Sequence, residues 1–164
     1  MPRIPQSLDP RLPRALHQVW EGEYGRDDLP RLAELLAPDA GPLLRVRLSI
    51  ALGALGEHRL QGQIEGSLDL VCQRCFGPLA WPLALSLDVV LLDAGTEETA
   101  VSDGSEVWIL DADRRLWPAQ AVEEEVLLAL PLAPRHEHCR AGWHNEFTED
   151  TLNPFAALRH WKHH

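Results

Sequence analysis

No apolar run in this 164-residue chain reaches the roughly 18 residues that a membrane-spanning helix needs. The opening residues, Met1-Pro2-Arg3-Ile4-Pro5, lack the apolar core of a secretory leader. A soluble, cytoplasmic protein is therefore expected. Cysteine is scarce, and an odd set of three fits no closed disulfide framework; thiols or metal ligands are the alternatives. Lysine is scarcer still: fourteen of the fifteen cations are arginine. An arginine set suits bidentate contacts to phosphate or carboxylate, and it follows equally from a GC-rich coding sequence. The chain has no phosphate-cradling glycine loop, no nucleophile elbow and no HExxH pair, so the common catalytic classes have no footing. It also lacks internal repeats and low-complexity tracts.

What is present describes one globular domain over residues 1–164. Hydrophobic residues make up 45% and charged residues 24%, which excludes wholesale disorder. The net charge of −10 is concentrated rather than spread. Residues 86–130 hold eleven acids and two arginines, whereas residues 1–50 balance seven arginines with seven acids. Non-specific binding to a phosphate backbone is disfavoured, but a local contact through the N-terminal half, Arg45 and Arg47 in particular, is not.

Four prolines in residues 1–13 predict an extended arm. Pro13 then begins a short helix through Ala15, Leu16 and Val19 to Trp20. Asp27 or Asp28 N-caps a second helix with Pro30 in its first turn, Leu29, Leu32, Leu35 and Leu36 on one face, and Pro38 at its end. Strict alternation follows. Leu44, Val46, Leu48, Ile50 and Leu52 form one strand, and Leu60, Ile64, Leu68, Leu70 and Cys72 lie on the inner face of the next. Gly62 and Gly66 share that inner face, which predicts a bend or close packing of another element. A third strand carries Leu83, Leu85, Leu87, Val89 and Leu91, and a short one covers Val107 to Leu110. Residues 93–105, acidic and apolar-poor, read as a mobile loop. Pro118 starts a helix that buries Val122, Val126, Leu127 and Leu130 and stops at Pro131, with Glu123, Glu124 and Glu125 as a solvated face. The expected fold is α+β: a twisted, partly barrel-like antiparallel sheet with helices near the N-terminus and after the last strand.

The chemistry-bearing feature is Cys72-x-x-Cys75 in the turn between two strands, followed far along the chain by His136-Glu137-His138-Cys139. Two thiolates at this spacing can grip a tetrahedral zinc. Cys72, Cys75 and Cys139 with one histidine, His136 or His138, would complete a closed and therefore structural site. The competing readings are cysteines packed as small hydrophobes and, more remotely, a redox pair. The strand-to-strand position is unlike the strand-to-helix junction of a thioredoxin-type motif. Asp111 and Asp113 resemble half a metal loop, without its glycine and distant glutamate. The six scattered tryptophans read as core or rim packing rather than a stacking platform. Phe155, Leu158 and Trp161 stand at helical spacing in the 140–164 tail, as an amphipathic segment that docks on a partner or on its own sheet.

Four stretches, in order, resemble the YceD-type family of bacterial large ribosomal RNA subunit accumulation proteins. They are Asp27-Asp28-Leu29-Pro30-Arg31-Leu32; the strand from Gly62 into Cys72-Gln73-Arg74-Cys75; the helix ending Glu125 to Pro131 with Pro134-Arg135-His136 and Cys139; and Asn153-Pro154-Phe155-Ala156-Ala157-Leu158. The resemblance implies a role in the synthesis, processing or stability of 23S ribosomal RNA, with no known enzymatic activity. The implied partners are large-subunit RNA, its assembly intermediates or a ribosomal protein, with no membrane or small-molecule substrate. Arg45, Arg47 and Phe155 are the expected RNA or partner contacts. The rival expectation is an adaptor that holds a basic protein through the acidic 86–130 segment.

Overall fold

The computed structural model describes residues 3–37, 43–96 and 106–139. Five strands form one sheet in sequence order: β1 (Val19–Tyr24), β2 (Leu43–Leu52), β3 (His58–Val71), β4 (Pro78–Leu92) and β5 (Val107–Ile109). Two helices, α1 (Pro30–Ala33) and α2 (Pro118–Ala129), complete the α+β architecture. None is long and apolar enough to cross a membrane.

The strands that alternate most cleanly in sequence behave as expected. Leu44, Val46, Leu48 and Ile50 of β2 are buried, as are Leu60, Ile64, Leu68 and Leu70 of β3 and Leu83, Leu87 and Val89 of β4. Leu29, Leu32, Ala121, Val122 and Val126 join them in one core from the helical side. β3 and β4 make a long hairpin whose register runs from Arg59↔Val90 to Val71↔Pro78. Its tip is the Cys72–Gly77 turn. The β3 glycines have a specific cause. A Cβ on Gly62 would stand 2.4 Å from the Arg47 carbonyl oxygen, and one on Gly66 would stand 2.7 Å from that of Leu43. The element packed closely against them is β2 itself.

Several expectations need correction. The sheet is open among the described residues, with β1 and β5 at its edges, and it is mixed rather than antiparallel. β5 runs parallel to β4; fourteen residues separate Leu92 from Val107, the length a parallel pairing needs and a tight hairpin does not. Val19 and Trp20 are not helical. Val-Trp-Glu-Gly-Glu-Tyr is a strand whose alternate residues Trp20 and Tyr24 are buried, while Glu21 and Glu23 pair across to Arg47 and Arg45. β-Branched and aromatic residues at period two outweigh the helical start signal of Pro13.

Finally, Glu123 is not solvated. Only 4% exposed, it accepts a hydrogen bond from the Leu32 N–H at 3.0 Å. The expected aspartate cap is absent, since the N-cap position is Leu29 without a side-chain bond. Asp28 instead accepts from the Gly25 N–H at 2.9 Å. A carboxylate reaching across from α2 therefore serves a first-turn N–H of α1. Beside it, Glu124 meets Arg31 at 2.7 Å.

From residue 3 the N-terminal segment is held against the rest of the fold, and residues 10–15 turn back on themselves, with the Ala15 N–H bonded to the Leu12 carbonyl at 2.7 Å. Leu8 and Leu116 exchange backbone hydrogen bonds at 3.0 and 2.8 Å. Ile4 lies over Gly22 of β1, where a Cβ would come within 3.2 Å of its Cδ1. Asp93, at the start of the acidic loop, is ion-paired with Arg11 and Arg114. Pro38, loop residues 97–105 and the tail 140–164 lie outside the described residues.

Candidate metal centre

The hairpin tip is shaped by its own backbone. The Phe76 N–H bonds the Cys72 carbonyl and the Cys72 N–H bonds the Gly77 carbonyl, both at 2.9 Å. This closes a turn with both thiols on one side. α2 ends at Ala129 as the chain becomes extended at Leu130 before Pro131. The following segment then runs back under the tip. The Gln73 N–H donates to the Pro134 carbonyl at 2.8 Å, and two residues later His136 faces the cysteines.

The ligand atoms of Cys72, Cys75, His136 and Cys139 all lie within 4.8 Å of one another. Cys72 Sγ is 3.9 Å from Cys139 Sγ, too far for a disulfide of about 2.05 Å. Cys75 Sγ is 3.5 Å from His136 Nδ1. A tetrahedral zinc, with bonds of about 2.3 Å to sulfur and about 2.0–2.1 Å to nitrogen, requires edges of about 3.8 Å for S···S and about 3.6 Å for S···N. The Cys72–Cys139 and Cys75–His136 edges match these spacings, and three thiols with one imidazole are the donor set that zinc prefers. His136 Nε2 lies 2.9 Å from the Pro78 carbonyl oxygen. Donation from Nε2–H there leaves the Nδ1 lone pair facing the sulfurs, the arrangement by which outer partners fix a metal-binding tautomer.

The electrostatics favour an anionic sulfur at Cys72. Burial pushes the Cys72 thiol up, but the backbone N–H groups of Cys75, His136 and Arg74 and the Cys75 thiol outweigh it, bringing it down to about 5. The Gly77 N–H lowers Cys75, yet Cys72 and Cys139 beside it raise it on balance. The Pro78 carbonyl, then Cys139 and Cys72, hold His136 above the ordinary imidazole range.

Of the two candidate histidines, His136 is in the cluster, while His138 is exposed and outside it. Arg45 and Arg47 lie elsewhere, on the outer face of β2, opposite Glu23 at 3.6 Å and Glu21 at 3.4 Å. Phe155 lies outside the described residues. Asp111 belongs to a turn rather than a metal loop, accepting from the Arg115 N–H at 2.7 Å and from Trp117 Nε1–H at 3.0 Å. Trp20 is buried, and Trp81 and Trp108 pack against the core; Trp143 and Trp161 fall in the undescribed tail. One residue of the tip escaped the sequence reading. Phe76 has φ 57° and is 77% exposed. Its signal is an aromatic directly after the second cysteine, where the turn demands a left-handed residue, at a cost of about 1–2 kcal/mol for any side chain.

A cleft of about 860 Å³ opens between the arm, β1 and α2. Tyr24, Asp27, Asp28, Trp108, Trp117 and Glu123 are among its walls, and no cysteine, histidine or serine lines it among the described residues.

Comparison with known proteins adds a sequence relationship. The family model described as large ribosomal RNA subunit accumulation protein YceD matches residues 60–162. The large ribosomal RNA subunit accumulation protein YceD of Haemophilus influenzae is 26% identical over 169 residues, covering 98% of this chain and 97% of that protein. No solved structure matches.

Proposed function

Since the chain belongs to the YceD family of large ribosomal RNA subunit accumulation proteins, we propose that it is a non-catalytic factor supporting the synthesis, processing or stability of 23S ribosomal RNA in the cytoplasm. The observation that carries this reading is the match along nearly the whole chain. The four-residue cluster supports the non-catalytic part. Four protein donors around one point leave no open position for substrate, the pattern of a structural rather than a catalytic zinc. Cys72, Cys75, His136 and Cys139 would hold that zinc, and its contribution is to pin the hairpin tip to the segment after α2.

Sedimentation of a native lysate through a sucrose gradient, with and without RNase, tests the reading. Co-sedimentation with large-subunit precursors that is lost on RNase treatment is expected. A position at the top of the gradient in both lanes refutes it.

The acidic excess in residues 86–130 favours one alternative, an adaptor that grips a basic ribosomal protein without touching RNA. Association that survives RNase and weakens when Glu124 and Glu125 are neutralised would select it.

A further inference from the structure

The exposed ring at the hairpin tip is unexplained by the fold. Phe76 sits in a left-handed conformation that glycine adopts freely and a bulky residue rarely does. Its ring gains little burial in return. Arg74 precedes it in the same turn and is exposed. Arg135 is exposed too, and stands between Pro134, which is bonded to Gln73, and His136, which faces Cys75. Neither arginine forms an ion pair among the described residues, whereas Arg45 and Arg47 each face a glutamate. The tip thus presents a solvent-facing aromatic in the same turn as one exposed cation, with a second exposed cation on the segment bonded to that turn.

We propose that this tip contacts single-stranded RNA, with Phe76 stacked on an unpaired base and Arg74 and Arg135 meeting the flanking phosphates. An aromatic face accepts any unpaired base, and a base paired within a duplex is not available to it. Gln73 and Arg74, both exposed in the same turn, add polar and cationic groups of the kind that meet a phosphate backbone. A rigid turn lowers the ordering cost of such a contact. The inference deepens the ribosomal RNA reading and rests on it.

The test uses the full-length, zinc-loaded protein and a fluorescein-labelled oligoadenylate dodecamer, alone or annealed to oligouridylate. Phe76→Gly is expected to weaken binding to the single strand about 5- to 150-fold, the range that loss of one stacked base produces. The same variant keeps its metal and melts no lower than the parent, because glycine relieves the backbone strain; a Phe76 that served only packing would melt lower. Phe76→Trp retains affinity. Arg74→Ala and Arg135→Ala each reduce the slope of log affinity against log salt by about 0.7.

Unchanged affinity in Phe76→Gly, or equal affinity of the parent for single strand and duplex, overturns the proposal. So does loss of a ribosomal protein from Phe76→Gly pull-downs with RNA affinity intact. A flat titration of the parent, with RNase-sensitive co-sedimentation retained, overturns the tip contact alone and leaves the family reading standing. Phe76-dependent RNA affinity in a chain absent from large-subunit precursors does the reverse.

Discussion

Removing the metal from the Cys72–Cys75–His136–Cys139 cluster should loosen the whole domain rather than the hairpin tip alone. The ion would join the Cys72–Cys75 turn to the 136–139 segment and so close a long loop that includes all of β4, β5 and α2. Treated as a cross-link closing about 60 residues, it lowers the entropy of the unfolded chain by an amount worth about 4 kcal/mol at 25 °C. For a domain of this size each kcal/mol moves the melting temperature by about 2–4 °C. A chelator, or Cys72→Ser, is thus expected to lower it by about 8–16 °C. The assay is differential scanning calorimetry beside metal analysis by mass spectrometry, on protein purified without chelator. One zinc per chain is expected in the parent and much less in Cys72→Ser. A parent that carries no zinc, or a melting temperature that ignores both chelator and substitution, refutes the reasoning.

Other outcomes follow from the packing. Glu123→Ala strands the buried Leu32 N–H and should cost about 2–4 kcal/mol, while Glu123→Gln keeps an acceptor and should cost less than about 1 kcal/mol; urea unfolding of both variants separates them. Gly62→Ala pushes a methyl against the Arg47 carbonyl and should cost about 1–3 kcal/mol, read from the same curves; a neutral result would mean that β2 and β3 separate freely. The bond from Trp117, with that from the Arg115 N–H, holds Asp111 below the usual carboxylate range, so its charged form is the one the fold favours. Its contribution is full above about pH 3.9 and disappears as pH falls further. The melting-temperature gap between the parent and Asp111→Asn should therefore narrow between pH 6 and pH 3, and a gap that widens on acidification contradicts the assignment.

What was legible in the chain depended on how local its cause was. The alternation in β2, β3 and β4 follows from one buried sheet face, and each strand announces it within ten residues. The cysteine pair is equally local, and the proximity of Cys139 followed from chemistry once zinc was considered. The choice between His136 and His138 was not legible, because it depends on the Pro78 carbonyl, a group with no signature in the side-chain sequence. β1 was misread since its alternation spans only six residues next to a proline that signals a helix. Glu123 was misread for a different reason: its partner lies 91 positions away, and three successive glutamates look alike until a neighbouring helix selects one. The parallel placement of β5 depends on where a long connection returns, which short-range pattern does not encode.

The segment from Pro118 to Cys139 has a further consequence, in the timing of synthesis. β1 to β4 are sequential neighbours, so each can pair with the strand made just before it as the chain emerges. The Glu123 bond to Leu32 and the last two members of the Cys/His cluster arrive together only afterwards. Until then α1 lacks its acceptor, and the sheet's inner face lacks α2. A ribosome that stops before this segment leaves a nascent meander with open apolar surface and a two-thiol half-site, a species prone to association and recognisable to chaperones. Completion of the last 22 residues of the described fold supplies α2 and, through Glu123, the acceptor for α1.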